Sequence, residues 1–262
     1  MSDQKVIIAT YDNVFEADLA KGLLEENGIE VTLNNELMNT ILTSFAGSMY
    51  QLELIVPLEQ AETAKDILET YTDGFYTHNI LKEEGALLEG HFLLTSGRHS
   101  ARYTEKIKII QNPEKVSELC KLMAERLADY EYDAVVGPAF GGIVLAFEVA
   151  RQMGKQFLFT QHKDEALIIR GGFNLSKLHK VVIIEDIVTT GGSVTEVVDC
   201  LKTAKLEVVA IGAIVDRSGG KIDFGSPFLP LLTLDVPSWD AGNCELCKNG
   251  KPLTQPGRSE KK

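Results

Sequence analysis

The thirteen residues from Val181 to Ser193 restrict the possible fold of this chain more than any other segment. Four consecutive strand-favouring apolar residues, at 181–184, predict a strand that is covered on both faces. Glu185 and Asp186 follow where that strand is expected to end, and an open α/β sheet binds its ligands at this edge. A turn of small residues then leads to a helix that we expect to begin near Ser193. The segment therefore predicts an α/β fold with a ligand site.

The turn that follows the two carboxylates has the chemistry of a phosphate cradle. Small side chains leave the backbone N–H groups of a helix N-terminus accessible, and the helix dipole favours an anion there. Adjacent carboxylates beside such a cradle suit a ligand that carries sugar hydroxyls, a phosphate and a divalent cation. An ordinary strand–turn–helix corner has no need of two acids in this place. The residues of the turn are Thr189, Thr190, Gly191, Gly192 and Ser193.

The charge of the chain is distributed unevenly. The 262 residues are 44% hydrophobic and 24% charged, which is typical of a soluble globular protein. Residues 1–73 carry three basic and fourteen acidic side chains, whereas residues 74–262 carry 23 basic and 24 acidic ones. We therefore expect neither nucleic acid nor a membrane as a partner of the acidic segment. The start of the chain lacks an apolar signal-peptide segment, which predicts a cytoplasmic protein.

Hydrophobic periodicity predicts two domains, with a boundary near Tyr71–Gly74. Residues 1–73 are expected to form a small α+β domain in a βαββα order, with no assignment between Asn35 and Met49. One predicted helix begins at Val14 and is stopped by Gly28, and a second covers residues 58–71. The predicted strands are 5–10, 30–34 and 51–57.

Residues 74–262 are expected to form an α/β domain, because strands and helices alternate along them. Such alternation implies βαβ units and a parallel sheet that is flanked by helices. The predicted strands are 105–110, 134–136, 156–160, 181–184, 208–215 and 231–236. The predicted helices are 75–84, 113–130, 142–151 and 194–204.

The segment from Val181 to Ser193 resembles the ribose-5-phosphate signature of the type I phosphoribosyltransferases. The resemblance implies a site for phosphoribosyl pyrophosphate (PRPP), with Glu185 and Asp186 near the ribose hydroxyls and residues 189–193 around the 5-phosphate. It also implies the fold of that family, a parallel sheet flanked by helices with a small hood element, and Mg²⁺ as the cofactor. The implied PRPP contacts in this segment are Glu185, Asp186, Ile187, Val188, Thr189, Thr190, Gly191, Gly192 and Ser193.

Three further features resemble the orotate phosphoribosyltransferases within that family. Residues 90–100, Gly-His-Phe-Leu-Leu-Thr-Ser-Gly-Arg-His-Ser, resemble an element that folds over the pyrimidine. Arg217 follows a predicted strand, at the position where the family holds the carboxylate of orotate, and Thr189 is the position whose hydroxyl meets the orotate ring. Residues 137–142 resemble the pyrophosphate loop, and the contacts implied there are Pro138, Ala139, Phe140 and Gly141.

The loop at residues 161–171 departs from the pattern of that family. Many orotate enzymes carry an Arg-Lys-x-x-Lys-x-His-Gly loop, usually supplied by the neighbouring subunit of a homodimer. This chain has Gln-His-Lys-Asp-Glu-Ala at 161–166 instead. We expect Arg170, His162 and Lys163 to contact the pyrophosphate. The expected catalytic residues are Asp186, Glu185, Lys163 and His162. Whether these cations act within one subunit or across two stays open.

The cysteine pair Cys244-x-x-Cys247 lies in a tail that resembles the tail of one sub-branch of orotate enzymes. A zinc site needs about four ligands, and the sequence has no second cysteine pair nearby. Packing of the tail with Trp239 is therefore the favoured interpretation, and zinc shared between two subunits is the alternative. We expect a surface role for His99. None of the four histidines considered shows metal spacing: His78, His91, His99 and His179.

Together these resemblances imply an orotate phosphoribosyltransferase, which transfers ribose 5-phosphate from PRPP to orotate and releases pyrophosphate. The reaction needs no covalent nucleophile, and the sequence shows no candidate for one. Two alternatives stay open. One is a phosphoribosyltransferase for another base, and the other is a PRPP-binding regulator that has lost catalysis.

Residues 1–73 resemble a small bacterial signal-transducing domain. The resemblance rests on a strand, a helix with the pattern Glu-Ala-Asp-x-Ala-x-x-Leu-Leu and an Asn-Gly-Ile exit. No nucleophile, metal-ligand set or phosphate loop occurs in this segment. A regulatory or oligomerisation role is a hypothesis, and a passive solubilising appendage is the alternative.

Overall fold

The computed structural model describes residues 4–12, 14–34, 51–94, 96–164 and 166–256. The chain divides into two compact units, Met1–Asp73 and Gly74–Lys262. The unassigned stretch between Asn35 and Met49 lies outside the described residues, as does Thr95 within the segment 90–100.

The first unit contains an antiparallel sheet of three strands in the order β1–β3–β2, covered by helix α1. The sheet and the helix enclose a core that includes Leu24, Leu54 and Val56, each fully buried. The chain turns after α1 at Gly28, whose φ of 77° favours glycine. The elements are β1 (Lys5–Tyr11), α1 (Val14–Glu26), β2 (Thr32–Asn34) and β3 (Leu52–Pro57).

Helix α2 (Ala61–Glu83) corrects the prediction of two separate helices at 58–71 and 75–84. Leu58–Gln60 forms a short 3-10 turn, and one continuous helix then runs through Gly74. A glycine inside a helix costs only about 1 kcal/mol relative to alanine, so it need not end the helix. The predicted break at Gly74 was therefore wrong.

The second unit contains a six-stranded sheet in the order β11–β10–β9–β6–β7–β8. All neighbouring strands run parallel except β7 and β8, which are antiparallel. This arrangement confirms the predicted α/β fold. The strands are β6 (Ala134–Pro138), β7 (Gln156–Lys163), β8 (Ala166–Ile169), β9 (Lys180–Val188), β10 (Glu207–Asp216) and β11 (Phe228–Thr233).

Apolar cores cover both faces of this sheet. Alternate side chains of β9 enter opposite cores, with Val182 and Ile184 in one and Val181 and Ile183 in the other. All four are fully buried, as the run of strand-favouring residues predicts. The flanking helices are α4 (Pro113–Arg126), α5 (Gly141–Met153) and α6 (Gly192–Thr203). None of the helices in the described ranges is both long enough and apolar enough to span a lipid bilayer.

Two strand predictions are corrected in ways that affect the site. Strand β9 continues to Val188, so Glu185 and Asp186 lie within the strand and not beyond its end. Residues 105–110, predicted as a strand, form the short helix α3 (Lys106–Ile110). The side chain of Glu105 accepts a hydrogen bond from the Ile107 N–H at 3.3 Å and caps this helix. The alternating Lys-Ile pattern suits a strand, but the cap selects the helix.

Residues 161–163 and 166–169 also have a more regular structure than predicted. The sequence predicts a loop at 161–171, yet β7 extends to Lys163 and pairs with β8. Register pairs include His162 with Leu167 and Lys163 with Ala166. Much of the expected loop is therefore a β-hairpin whose backbone hydrogen bonds are satisfied between its own strands.

A second, smaller sheet provides the hood element. Its three antiparallel strands lie in the order β12–β5–β4. They are β4 (Leu87–Leu93), β5 (His99–Thr104) and β12 (Ser238–Trp239), and the last helix, α7 (Glu245–Lys248), follows β12 in the chain. The segment 90–100 spans the end of β4 and the start of β5, so it lies on this sheet.

Candidate active site

The two carboxylates of β9 form a buried acidic pair. Glu185 is only 7% exposed to solvent and Asp186 only 6% exposed. Glu185 Oε1 accepts a hydrogen bond from the Asp186 N–H at 2.9 Å, and Asp186 Oδ1 accepts one from the Ile187 N–H at 2.6 Å. Asp186 Oδ2 forms an ion pair with Lys106 Nζ at 2.9 Å. The strand backbone and one lysine thus hold both acids in place.

Burial makes the charges of this cluster interdependent. Burial and the charge of Asp186 raise the pKa of Glu185 to about 8. Burial also disfavours the Lys106 ammonium, but the charge of Asp186, its hydrogen bond and the charge of Glu185 outweigh this effect and raise the pKa of Lys106. Glu185 therefore binds its proton more tightly than an exposed glutamate does, and Lys106 holds its ammonium proton more tightly than an exposed lysine does.

Lys106 is a site residue that the sequence-based reasoning missed. We predicted residues 105–110 as a strand of the sheet, which gives no reason to place Lys106 beside Asp186. In the first turn of α3 its ammonium reaches Asp186 instead. Glu105 is the signal that could have identified Lys106, because a glutamate directly before it can cap a helix. The next helix begins soon afterwards, at Pro113.

Only glycine fits at three positions of the segment 137–142, and at two of them the reason is close contact with β9. A Cβ atom added to Gly141 would collide with Asp186 Oδ2, and one added to Gly142 would lie 2.8 Å from the Ile184 carbonyl oxygen. A Cβ atom on Gly137 would collide with the Gly142 backbone. The peptide bond between Ala139 and Phe140 is cis, and the Phe140 side chain is 88% exposed. Backbone, and not side chains, thus faces the buried acids.

The phosphate cradle predicted at 189–193 is an exposed turn at the start of α6. Thr189, Thr190 and Ser193 are exposed, and α6 begins at Gly192. Gly191 has a φ of 79°, and a Cβ atom there would lie 3.0 Å from the Phe224 ring. The first N–H groups of any helix lack intrahelical partners, so this turn presents free donors to an anion.

Arg217 lies at the end of β10, beside the cradle. The strands place Asp216 opposite Val188, and the Arg217 N–H donates to the Val188 carbonyl oxygen at 2.8 Å. Arg217 therefore neighbours Thr189 at the same edge of the sheet. Its Nε atom is buried without a hydrogen-bond partner among the described residues, and burial lowers the pKa of the guanidinium. A buried donor without a partner suits an anionic ligand group.

The three predicted loop cations are not gathered around the acidic pair. His162 Nε2 lies 3.6 Å from Glu196 Oε2 on α6, and both side chains are more than half exposed. Lys163 and Arg170 are exposed on and after the β7–β8 hairpin. Across the described ranges, the structure records no ion pair that joins these side chains to Glu185 or Asp186.

The prediction for the cysteine tail needs correction. Cys244 and Cys247 lie beside His91 and His99 of the hood sheet. The sequence has no second cysteine pair nearby, but these two histidines occupy the place that such a pair would take. His99 is only 5% exposed, which contradicts the expected surface role. His99 of β5 pairs with Leu93 of β4, and His91 lies two residues before Leu93 on the same strand. The two histidines are therefore neighbours across the strand pair, which the sequence alone does not reveal because it does not give the register.

Comparison with known proteins gives two family matches. Residues 107–242 match the family described as "Phosphoribosyl transferase domain", and residues 5–72 match the family described as "Putative prokaryotic signal transducing protein". The chain is 42% identical over 182 residues to an orotate phosphoribosyltransferase of Caldicellulosiruptor bescii, which covers 70% of this chain and 96% of the relative. It is 46% identical over 178 residues to an orotate phosphoribosyltransferase of Thermotoga maritima, which covers 68% of this chain and 95% of the relative.

Solved structures share the fold of the second unit. Leishmania donovani UMP synthase aligns with a TM-score of 0.54 at 25% identity, over 66% of this chain and 40% of that longer protein. The orotate phosphoribosyltransferase of Mycobacterium tuberculosis, in complex with inorganic phosphate, aligns with a TM-score of 0.52 at 22% identity, over 62% of this chain and 96% of that one. The family match over residues 107–242 and the identities to the two bacterial relatives show that this chain belongs to the phosphoribosyltransferase family.

Proposed function

We propose that this chain is an orotate phosphoribosyltransferase, which transfers ribose 5-phosphate from PRPP to orotate to give orotidine 5′-phosphate and pyrophosphate. The observation that carries the proposal is a buried carboxylate pair on β9 whose strand leads directly to the N-terminus of α6. This arrangement joins acceptors for ribose hydroxyls to donors for a 5-phosphate within nine residues, 185–193. Relatives at 42% and 46% identity carry the name of this enzyme.

The reaction breaks the bond from ribose C1 to pyrophosphate and forms a bond from C1 to N1 of orotate. Positive charge develops on the ribose ring as the anionic pyrophosphate departs. Asp186 and Glu185 accept hydrogen bonds from the ribose hydroxyls, and negative charge close to the ring favours the developing cation. Lys106 holds the Asp186 carboxylate in place through their ion pair. The N–H groups of residues 189–193 hold the 5-phosphate.

The acidic pair fits the divalent cation that this family generally uses with PRPP. Carboxylate oxygens and ligand hydroxyls are the groups that Mg²⁺ prefers, and Asp186 Oδ2 is buried with the Lys106 ammonium 2.9 Å away. Asp186 and Glu185 would hold the ion together with the ribose hydroxyls. When bound, Mg²⁺ neutralises the leaving pyrophosphate. The glycine-lined segment 137–142 offers its backbone to the same oxygens.

The choice of orotate as acceptor rests on Arg217. Orotate carries a carboxylate, and Arg217 has a buried Nε donor without a partner in the described part of the chain. A guanidinium pairs with a carboxylate in a planar, two-bonded geometry, which fixes the orientation of the base. The Thr189 hydroxyl is exposed at the same edge, where it can meet the ring. Orientation of both substrates supplies much of the rate acceleration.

The alternative of a PRPP-binding regulator is favoured by one observation, the placement of His162 against Glu196 and away from the acidic pair. A regulator would bind PRPP without releasing pyrophosphate. A transferase for another base would release pyrophosphate only with that base. A single assay of orotate consumption therefore distinguishes both alternatives from an orotate phosphoribosyltransferase.

The assay follows orotate consumption by ultraviolet absorbance with PRPP and Mg²⁺. We expect loss of orotate that requires every component. Asp186→Asn should lower kcat/KM by at least about a hundredfold, because it removes charge beside the ribose ring. Arg217→Ala should chiefly raise KM for orotate. Asp199→Asn, an exposed acid on α6, is the matched control and should leave the rate unchanged. Calorimetric binding of PRPP without orotate loss would overturn the proposal.

A further inference from the structure

Four side chains from distant parts of the second unit meet beside the hood sheet. They are His91 on β4, His99 on β5, Cys244 just before α7 and Cys247 within it. His91 and Cys244 are 153 positions apart in the sequence. The ligand-capable atoms of the four residues all lie within 4.8 Å of one another. None of these residues belongs to the proposed transferase site.

The distances within this cluster match those of ligands around a single tetrahedral ion. His91 Nε2 lies 3.0 Å from His99 Nδ1, 3.4 Å from Cys244 Sγ and 3.7 Å from Cys247 Sγ, and Cys247 Sγ lies 3.3 Å from His99 Nδ1. Zinc bonds of about 2.3 Å to sulfur and about 2.0–2.1 Å to nitrogen place tetrahedral ligand atoms roughly 3.3–3.8 Å apart. The observed spacings need only small adjustment to accept the ion.

Pairwise hydrogen bonds satisfy only some of the close contacts in this cluster. His91 Nδ1 lies 2.7 Å from the Lys251 carbonyl oxygen, which can only accept, so Nδ1 carries the proton. In the neutral ring, Nε2 then has one lone pair and no proton. Three potential donors, His99 Nδ1, Cys244 Sγ and Cys247 Sγ, surround that one lone pair. A cation at their common centre uses the lone pair of every one of them at once.

The surroundings have the features of a closed structural metal site. The bond from His91 to the Lys251 carbonyl fixes the ring tautomer that points Nε2 inward, the usual outer-shell support of a metal-binding histidine. His91, His99 and Cys244 are buried, and only Cys247 is exposed. The two cysteines occupy i and i+3 of a short turn, which directs both thiols to one side. Four protein ligands leave no open position for a substrate.

We propose that His91, His99, Cys244 and Cys247 bind one structural Zn²⁺ that fastens the C-terminal tail of the chain to the hood sheet. Two nitrogen and two sulfur ligands in a tetrahedral arrangement select zinc among the common divalent ions. Binding releases the two thiol protons to solvent, and both imidazoles coordinate in the neutral form. The tail also pairs with the sheet through backbone bonds between Thr254 and residues 91 and 93, so the ion closes a contact that already exists.

The first experiment measures zinc in the intact purified protein by elemental analysis. We expect about one zinc per chain in the wild type and less than about a tenth of that in Cys247→Ser and His99→Ala. Cys200→Ser is the matched control, because Cys200 lies on α6, outside the cluster, and it should retain the full zinc content. Equal zinc in the wild type and in both cluster variants would overturn the proposal, as would another metal in its place.

A second measurement keeps the proposal testable if the cluster variants fail to fold. The wild-type protein is stripped with a chelator and then titrated with Co²⁺ under reducing conditions. We expect the intense visible absorption of tetrahedral cobalt with thiolate ligands, its displacement by Zn²⁺ and its persistence in Mg²⁺. The thermal midpoint should fall on stripping and recover with Zn²⁺ alone. No cobalt absorption, or a Cys244–Cys247 disulfide that persists under the reducing conditions, would overturn the assignment.

Discussion

At the scale of single residues, Gly141 sets how closely the segment 137–142 can approach the acids of β9. A Cβ atom at this position would collide with Asp186 Oδ2 and would lie 3.3 Å from Lys106 Nζ. The Asp186 carboxylate is not free to move, because the strand backbone and the ion pair with Lys106 hold it. The absence of a side chain at position 141 is therefore part of the geometry of the site.

Gly141→Ala should disable the site while the fold persists. The added methyl group must displace either Asp186 or the loop, so we expect kcat/KM for PRPP to fall by at least about a hundredfold. Steady-state kinetics measures this change, and circular dichroism checks the fold. Gly22→Ala is the matched control, since a Cβ atom there meets nothing within 4 Å. Retention of wild-type kinetics in Gly141→Ala would contradict the proposed role of Asp186.

Glu185 makes the stability of the ligand-free protein depend on pH. Its pKa is raised to about 8 in the fold, chiefly by burial and then by Asp186, so the folded state binds its proton more tightly than the unfolded state. The stabilisation is fully present below the unfolded pKa of about 4.3 and is lost as the pH rises through the folded pKa. Between these values, the free energy of unfolding should fall at a rate approaching about 1.4 kcal/mol per pH unit.

The variant Glu185→Gln isolates this effect, because its side chain cannot ionise. Urea unfolding between pH 5 and pH 8 should show the wild type losing stability relative to the variant as the pH rises. Glu207→Gln, at an exposed position on β10, is the control and should parallel the wild type. Parallel curves for the wild type and Glu185→Gln would show that Glu185 is already ionised in the fold.

At the scale of elements, the β7–β8 hairpin carries His162 and Lys163 on a regular structure instead of a long loop. In one chain, His162 faces Glu196 on α6 and the cations do not reach the acidic pair. We predict that a neighbouring copy of the same hairpin supplies cations to the pyrophosphate, in a homodimer with shared active sites.

Mixing two inactive variants tests this arrangement. Asp186→Asn removes the ribose site and Lys163→Ala removes the hairpin cation, so each homodimer should be defective. If the hairpin acts across the interface, a mixed dimer contains one site with both groups intact. We expect the mixture, after subunit exchange, to exceed the summed activity of the two variants. Activity equal to that sum would indicate that each hairpin serves its own subunit.

At the scale of the whole molecule, the two units have separate hydrophobic cores. The core of the first unit draws its buried residues from positions 20–64, and the cores of the second from positions 80–231. The proposed substrate site lies entirely in the second unit. A ligand that binds only one unit stabilises that unit, by about 2.7 kcal/mol at a hundred times its dissociation constant.

We therefore expect two transitions when the intact protein is unfolded in urea. Trp239, the only tryptophan, reports the second unit by fluorescence, whereas far-ultraviolet circular dichroism reports both. PRPP with Mg²⁺ should move the fluorescence transition to higher urea and leave the other transition in place. A single coincident transition for both probes would mean that the two units unfold cooperatively.

Features that are carried by neighbouring residues could be predicted from the sequence alone. The strand, two acids and turn of the proposed ribose-phosphate site occupy thirteen consecutive positions, so local pattern was enough to predict a strand that leads to a helix there. The alternation of strands and helices likewise predicted the α/β fold, because burial on both faces of a parallel sheet leaves a continuous apolar run. The local pattern failed at 105–110, where an alternating sequence satisfies a strand and a capped helix alike.

Contacts between residues that are distant in the chain could not be predicted, because they depend on how the elements pack. The Lys106–Asp186 ion pair, the fit of Gly141 against Asp186 and the His91–His99–Cys244–Cys247 cluster each join segments that are far apart in the chain. Periodicity tells which face of an element is buried, but it does not tell which element lies opposite. Strand order and register supply that information, and they follow from the packing of the whole unit.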